Sequence, residues 1–391
     1  MAGTLNRALG AWLAVVALAL SPVMAQEAPP KKHDEAEARQ LLVQAEQIAA
    51  KMPIKQMQIV ALENIGIGKA LAHDYEGARV IARSLGTDVS KEKILRDIAI
   101  TQALSGDTDE GVKTIGGIKA AEGKVMTCFM MARELAKQER KKEALFALDQ
   151  ITKTALPKVA AGFEQMNAML LLGQAYAMAG DPTTTSRFAD FFKEQPQLAE
   201  IRNVMLAIGR AYDHDITGAK QKLALLHNSD TQVMALLGIV DVQLKAGDKA
   251  AAADTWKQLV EVAQSKPLKI SRLFMVIEMQ QEAGDFAAAR TTIDIASKVA
   301  PAENEAVLSK IGSAQAASGD MDGALKTLMQ IKNANEQSNI RYDIAITRAK
   351  AGDVPGALAI APPEADVWGR TQVLIGAARG ILRSLKPPAK P

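Results

Sequence analysis

Three of the four histidines stand directly before an aspartate: His33-Asp34, His73-Asp74 and His214-Asp215. Such a pair can ligate a metal or orient a general base. A sulfur-rich stretch, Met126-Thr127-Cys128-Phe129-Met130-Met131, offers soft ligands for a soft metal. Repeated Gly-Asp dipeptides invite a calcium reading, although each offers one carboxylate where calcium takes six to eight oxygens. The remaining histidine, His227, lies in the turn His-Asn-Ser-Asp with no partner nearby in sequence. No phosphate-binding glycine loop, His-Glu-x-x-His helix, metal-spaced cysteine pair or nucleophile elbow is present, so the sequence calls for no cofactor, metal or catalytic residue.

The spacing of these residues gives them a plainer meaning. Residues 343–353 (Asp-Ile-Ala-Ile-Thr-Arg-Ala-Lys-Ala-Gly-Asp) repeat residues 97–107 (Asp-Ile-Ala-Ile-Thr-Gln-Ala-Leu-Ser-Gly-Asp) at eight of eleven positions. With the Gly of Gly-Asp as anchor, the copies fall at His73, Gly106, Glu139, Gly180, His214, Gly247, Gly284, Gly319 and Gly352, spaced 33, 33, 41, 34, 33, 37, 35 and 33 residues apart. An apolar residue lies eight before each anchor, a small one five after, and apolar pairs such as Ile115 and Ile118 follow at nine and twelve. Apolar residues three and four apart on both sides of a turn specify a helical hairpin. Glycine ends a helix in the left-handed conformation, histidine is tolerated there, and the aspartate caps the next helix. The histidines are therefore assigned to turns. Glu139-Arg140 breaks the pattern and is expected to form the loosest turn. Cys128 and its methionines read as a buried helix seam, and Gly116-Gly117 as close packing or a kink within a second helix.

The units resemble those of the tetratricopeptide repeat family. The fourth matches best, with Leu172-Gly173, Tyr176 and Gly180 in that family's Leu-Gly, Tyr and Gly positions. Gly66, Ala99, Ala132, Gly312 and Ala345 continue the small position, and Pro301 fits the closing proline. The early Trp of the motif is missing. The expected fold is all-α: an α/α superhelical solenoid of nine helical hairpins, its concave face open to peptides or protein partners. His33-Asp34 begins a lone second helix, and residues 365–385 occupy the place of a tenth first helix. These half-units are expected to cap an open superhelix whose first and last helices do not meet.

Around this domain, 33–385, residues 1–25 read as a secretory signal: Arg7, an apolar run from Leu9 to Leu20, and an exit at Val23-Met24-Ala25. Cleavage near Ala25-Gln26 predicts a periplasmic or secreted protein with no membrane insertion afterwards. Residues 26–32 form a tether and 386–391 a disordered tail. The single cysteine leaves stability to packing. The formal charge of +3, or about +2 without Arg7, argues against nucleic acid.

In the resembled family, ligands lie against the first helix of each unit, thirteen, ten, six, three and two residues before the anchor. The resemblance thereby implicates Lys93, Arg96, Arg133 and Lys137, then Asn167, Gln174 and Tyr212, then Asp241, Lys245, Glu278, Gln281 and Glu282. This inner face is basic near the N-terminus and mixed to acidic beyond the middle. Leu170, Leu237 and Phe274 fall at the same positions and predict a partly apolar groove. The function expected is a non-enzymatic exported scaffold for a protein or peptide partner. Its rivals are a polysaccharide-processing α/α toroid, disfavoured by 4% aromatics, and a small-ligand carrier with a pocket at the long fourth unit, residues 154–180.

Overall fold

The computed structural model describes residues 33–85, 88–161, 163–193, 198–264, 269–299 and 304–385. The expected signal, tether, tail and closing Pro301 lie outside them. Every regular element among the described residues is helical. In chain order they are α1 (Glu35–Ala49), α2 (Lys55–Leu71), α3 (Tyr75–Ser84), α4 (Asp88–Leu104), α5 (Thr108–Gly116), α6 (Ala121–Lys137), α7 (Lys141–Thr154), α8 (Phe163–Met178), α9 (Pro182–Phe191) and α10 (Ala199–Tyr212). There follow α11 (Ile216–Leu223), α12 (Ser229–Lys245), α13 (Lys249–Gln264), α14 (Lys269–Glu282), α15 (Phe286–Val299), α16 (Glu305–Ala317), α17 (Met321–Gln330), α18 (Ala334–Lys350), α19 (Val354–Ala359) and α20 (Val367–Ser384).

All nine anchors adopt positive φ, from 57° at His73 to 107° at Gly106. The aspartates that follow cap the next helix, accepting the amide three residues on at 2.8–3.1 Å. Asp34 and Asp366 cap α1 and α20 in the same way. The third turn is not loose. Glu139 has φ 58°, and its turn bonds, Glu139 N to Ala136 O at 3.0 Å and Arg140 N to Leu135 O at 2.9 Å, match the others. Arg140 gives up the cap but reaches back to the preceding unit, donating to the Leu104 carbonyl at 2.9 Å, and also pairs with Glu143 of its own unit at 3.1 Å. Gly116-Gly117 is not a packing kink: α5 ends there and a Cβ on Gly116 would meet nothing. Turn chemistry makes a simple test. Gly319 (φ 79°) stands in open space, so Gly319→Val acts through backbone strain alone and should cost about 1–2 kcal/mol. Asp320→Ala should cost about 1 kcal/mol by losing its bond to Gly323 N. Urea denaturation of both variants decides, and melts superimposed on the parent's would reject this account.

Successive units lock by recurring contacts. The small residue seven before an anchor receives an isoleucine of the next first helix: a Cβ on Gly66 would lie 2.7 Å from Ile94 Cδ1, and one on Gly312 2.5 Å from Ile340 Cδ1. Glu92, Glu200 and Glu305, each fourteen before an anchor, accept two backbone amides from the loop that starts the next first helix. His227 finds its role here, as one of those amide donors. The long spacings of 41 and 37 have local causes. Outer helix α7 runs 14 residues and is followed by a 3-10 turn at Leu156–Lys158, while α13 runs 16.

The expectation of an open superhelix is also overturned. The half-units do not cap two free ends; they pair with each other. Ala38, Leu41 and Leu42 of α1 share a core with Val373, Ala377, Ala378 and Ile381 of α20. On its other side, α20 puts Ile375 into the core of Ile65, Ile94 and Ile98. Together α1 and α20 make a tenth hairpin, and the domain is a closed ring. The even-numbered helices touch one another all the way round, as expected of the shorter inner circumference, and the odd-numbered helices form the outside. The half-units meet because each carries an apolar stripe that water would otherwise cover.

Candidate functional site

The inner wall carries a cavity of about 560 Å³ lined by five successive inner helices, α6 to α14, and by Trp256 of α13. Five methionines line it: Met126, Met178, Met234, Met275 and Met279. Phe129, Leu237, Val240 and Leu244 extend the apolar surface. The groove is thus apolar where Leu237 predicts, while Leu170 belongs to the core. The Met126–Met131 stretch divides: Cys128 and Met131 are buried, Met126 and Phe129 face the cavity. Burial pushes the Cys128 thiol up, and its Sγ donates to Ala147 O at 3.4 Å. Among the described residues no group of His, Cys, Asp and Glu could hold a metal.

Of the residues drawn from the sequence, the cavity brings together Arg133, Lys137, Gln174, Tyr212, Asp241 and Glu278. Arg133 lies 5.9 Å over the Phe129 ring, and Glu134 pairs with both Arg133 and Lys137. The Tyr212 hydroxyl donates to Asp241; burial and then that carboxylate hold its phenol well above the usual range. Lys245 closes the group, 2.9 Å from Asp241 and 5.3 Å over the Tyr212 ring. Three residues lie elsewhere. Lys93 is tied to Glu63 at 2.8 Å, Arg96 to Asp97 at 3.1 Å, and Asn167 is exposed outside the cavity. The basic N-terminal face is therefore largely matched by carboxylates beside it.

Glu278 also borders a second inner-wall cavity, of about 550 Å³, between α14, α16 and α18. Here Gln281, Ser313, Asn339 and Tyr342 accompany Glu278, Glu336 and Asp343, with Lys310 the one cation among the described residues of the wall; Lys310 lies 5.5 Å over the Phe274 ring. Asp343 opens the copied segment, and its counterpart Asp97 opens the other. Both act on Tyr342 and Arg383 of the closing seam. Arg379 lies over Tyr342 and donates to its hydroxyl. Tyr342, Arg379 and Arg383 were missed at the sequence level, although counting 33 from 352 puts Arg379 and Arg383 six and two before residue 385. The methionines give no such signal, because a methionine stripe reads as core.

Burial pushes the Asp343 carboxyl up to about 6, against the pull of the Ser313 hydroxyl, Arg383 and Arg379. A carboxyl raised by folding contributes stability that is fully present below its unfolded value near 4 and is lost as pH rises through about 6. From pH 4 to pH 7 the parent should therefore lose about 2 kcal/mol more than Asp343→Asn, allowing for partial solvent access. Paired urea melts at the two pH values measure this, and an equal or opposite change would refute it.

At two of the histidine turns the following aspartate serves the next helix. Asp74 and Asp215 spend their carboxylates on Gly77 N and Gly218 N. The His73 ring lies 2.9 Å from the Tyr75 hydroxyl and 3.2 Å from Ser105 Oγ, and Ser105 also donates to Thr101 O at 2.8 Å.

No protein-family model matches the chain, and no curated protein matches it either. Among solved structures, that of Ton1535 from Thermococcus onnurineus NA1 is similar, with 14% identity, 78% of this chain and 96% of that chain covered, and a TM-score of 0.32. The residues themselves make the chain an all-helical repeat protein.

Proposed function

We propose that this is an exported, tetratricopeptide-like scaffold without enzymatic activity, which seats a partner protein's peptide segment on the inner wall. The observation that carries the reading is the methionine-lined cavity spanning five inner helices. Methionine is unbranched and polarizable, and adapts to apolar side chains of different shape. Arg133 and Lys137 on α6, with Asp241 and Glu278 on α12 and α14, would set the direction in which a segment lies. The signal-like pattern of residues 1–25 supports export, and the hairpin spacing and small-residue positions support the repeat family.

Met126 and Met275 line the cavity yet remain 39% and 45% exposed, so charges there should spare the fold. For a peptide selected on the parent chain, Met126→Glu with Met275→Glu should weaken binding by about 2 kcal/mol, roughly thirtyfold. Asn167→Glu, outside the cavity, should leave it unchanged. Titration calorimetry reads both, and equal affinity for parent and double variant would reject the inner wall as the docking face.

A small-ligand carrier is the second reading. The cavity volume suits a small molecule, and Gln174 and Met178 of the long fourth unit line it. Native mass spectrometry of the purified chain separates the two by the mass it retains. Because toroid enzymes are also closed rings, reducing-end release from polysaccharides by the parent, lost in Asp343→Asn, would displace both.

A further inference from the structure

We infer a second binding site, on the outer face between α13 and α15, for a small molecule that carries a secondary amide on an apolar group. It is independent of the inner-wall reading. A buried pair is built into several units. Four residues before the anchor, Gln102, Gln243 and Gln315 accept a hydrogen bond from Thr114, Thr255 and Thr327, eight residues after it, at 2.7, 2.7 and 2.8 Å.

The seventh unit has the same two residues, Gln280 and Thr292, each 1% exposed, but not the bond. Thr292 donates instead to Ala288 O at 3.1 Å, and Gln280 Oε1 has no partner among the described residues. Trp256, 4% exposed, likewise has an indole N–H without one. Both side chains line a single cavity of about 370 Å³ between α13 and α15. Buried polar atoms are nearly always paired, so an acceptor and a donor left unmet on one wall mark what a ligand must supply.

The rest of that wall is mixed. Val260 and Ile295 offer a hydrocarbon substituent an apolar seat, and Lys257, Glu261 and Asp285 charge the remainder. A carboxylate would meet the indole but has no proton for Gln280, and an ammonium would meet Gln280 but not the indole. A hydroxyl can also donate to one and accept from the other, whereas a secondary amide does so with two separate atoms, N–H to Gln280 Oε1 and C=O to Trp256 Nε1–H, and spans both. Peptides and N-acetylated sugars both carry that group.

Trp256 is also the reporter, through its indole resonance in a nitrogen–proton spectrum of the full chain, assigned by Trp256→Phe. N-cyclohexylacetamide should move that resonance saturably. Cyclohexyl acetate, the same shape without the N–H, should bind roughly tenfold more weakly. Gln280→Met should abolish the difference between the two probes. Met275→Glu, in the inner cavity that Trp256 also borders, should leave it intact. N-acetylglucosamine forms the third arm: binding by it assigns the amide to a sugar, binding by the cyclohexyl compound alone to a peptide-like source. If amide and ester titrate alike on the parent, or none of the probes moves the Trp256 signal, the cavity holds solvent only and the proposal fails. The probe comparison on the parent needs no variant to fold.

Discussion

Alanine at both Gly376 and Gly380 should destabilise the domain by about 2–4 kcal/mol and open the ring, the reverse of what helix propensity predicts. In an ordinary helix interior each change would gain about 1 kcal/mol. Here α20 lies so close to α18 that a Cβ on Gly376 would come 2.5 Å from the Tyr342 carbonyl oxygen and 3.0 Å from Ala345 Cβ. On Gly380 it would press on the Ile346 carbonyl oxygen, with Ala349 Cβ at 2.7 Å. Backbone oxygens cannot rotate aside, so the helices must separate, and overpacking of this kind costs about 1–3 kcal/mol per site. Gly116→Ala is the control, since nothing lies within 4 Å of its Cβ position. It should be neutral or slightly stabilising. Urea denaturation gives the energies and small-angle scattering the radius of gyration. A double variant as stable and as compact as the parent would show that α20 is not seated in this way.

Leu42→Ala should cost about 3 kcal/mol, and the damage should appear at both ends of the chain. Leu42 is 1% exposed, shares a core with Val373, Ala377 and Ile381 of α20, and touches the space over Gly68. Deleting its buried methyls leaves a cavity that the surrounding helices only partly fill. In an open solenoid each unit feels only its neighbours, so α1 would fray while α20 kept its protection. In the closed ring α1 and α20 are one hairpin. Amide hydrogen exchange should therefore accelerate in both together, while α10 and α12, far round the ring, keep theirs. Protection lost from α1 alone would argue for an open superhelix.

Much of this architecture is legible in the residues because it is local. Gly106, Gly180 and Gly352 take left-handed backbone at positions that spacing picks out, and the aspartates after them cap. Leu237 and Phe274 mark the apolar inner groove, and Arg133, Tyr212, Asp241 and Glu278 fall where the repeat offsets place them. Each depends on one turn or one helix face, within reach of the next unit.

Closure is of another kind. The stripe of Leu41, Leu42 and Ala45 on α1 reads the same whether it caps an end or meets a partner more than 300 residues away. Whether the ends meet depends on the sum of small rotations between ten successive hairpins, and no short segment encodes a sum. The spacing Gly376-x-x-x-Gly380 was visible, but its meaning needs the backbone of α18 beside it. Arg140 is similar: it reads as a lost cap, and only the neighbouring Leu104 carbonyl makes it a tie between units. The two inner cavities and the unpaired Gln280 and Trp256 arise the same way, from how far apart packed helices come to rest. Local pattern sets each hairpin; the gaps between hairpins belong to the assembled ring.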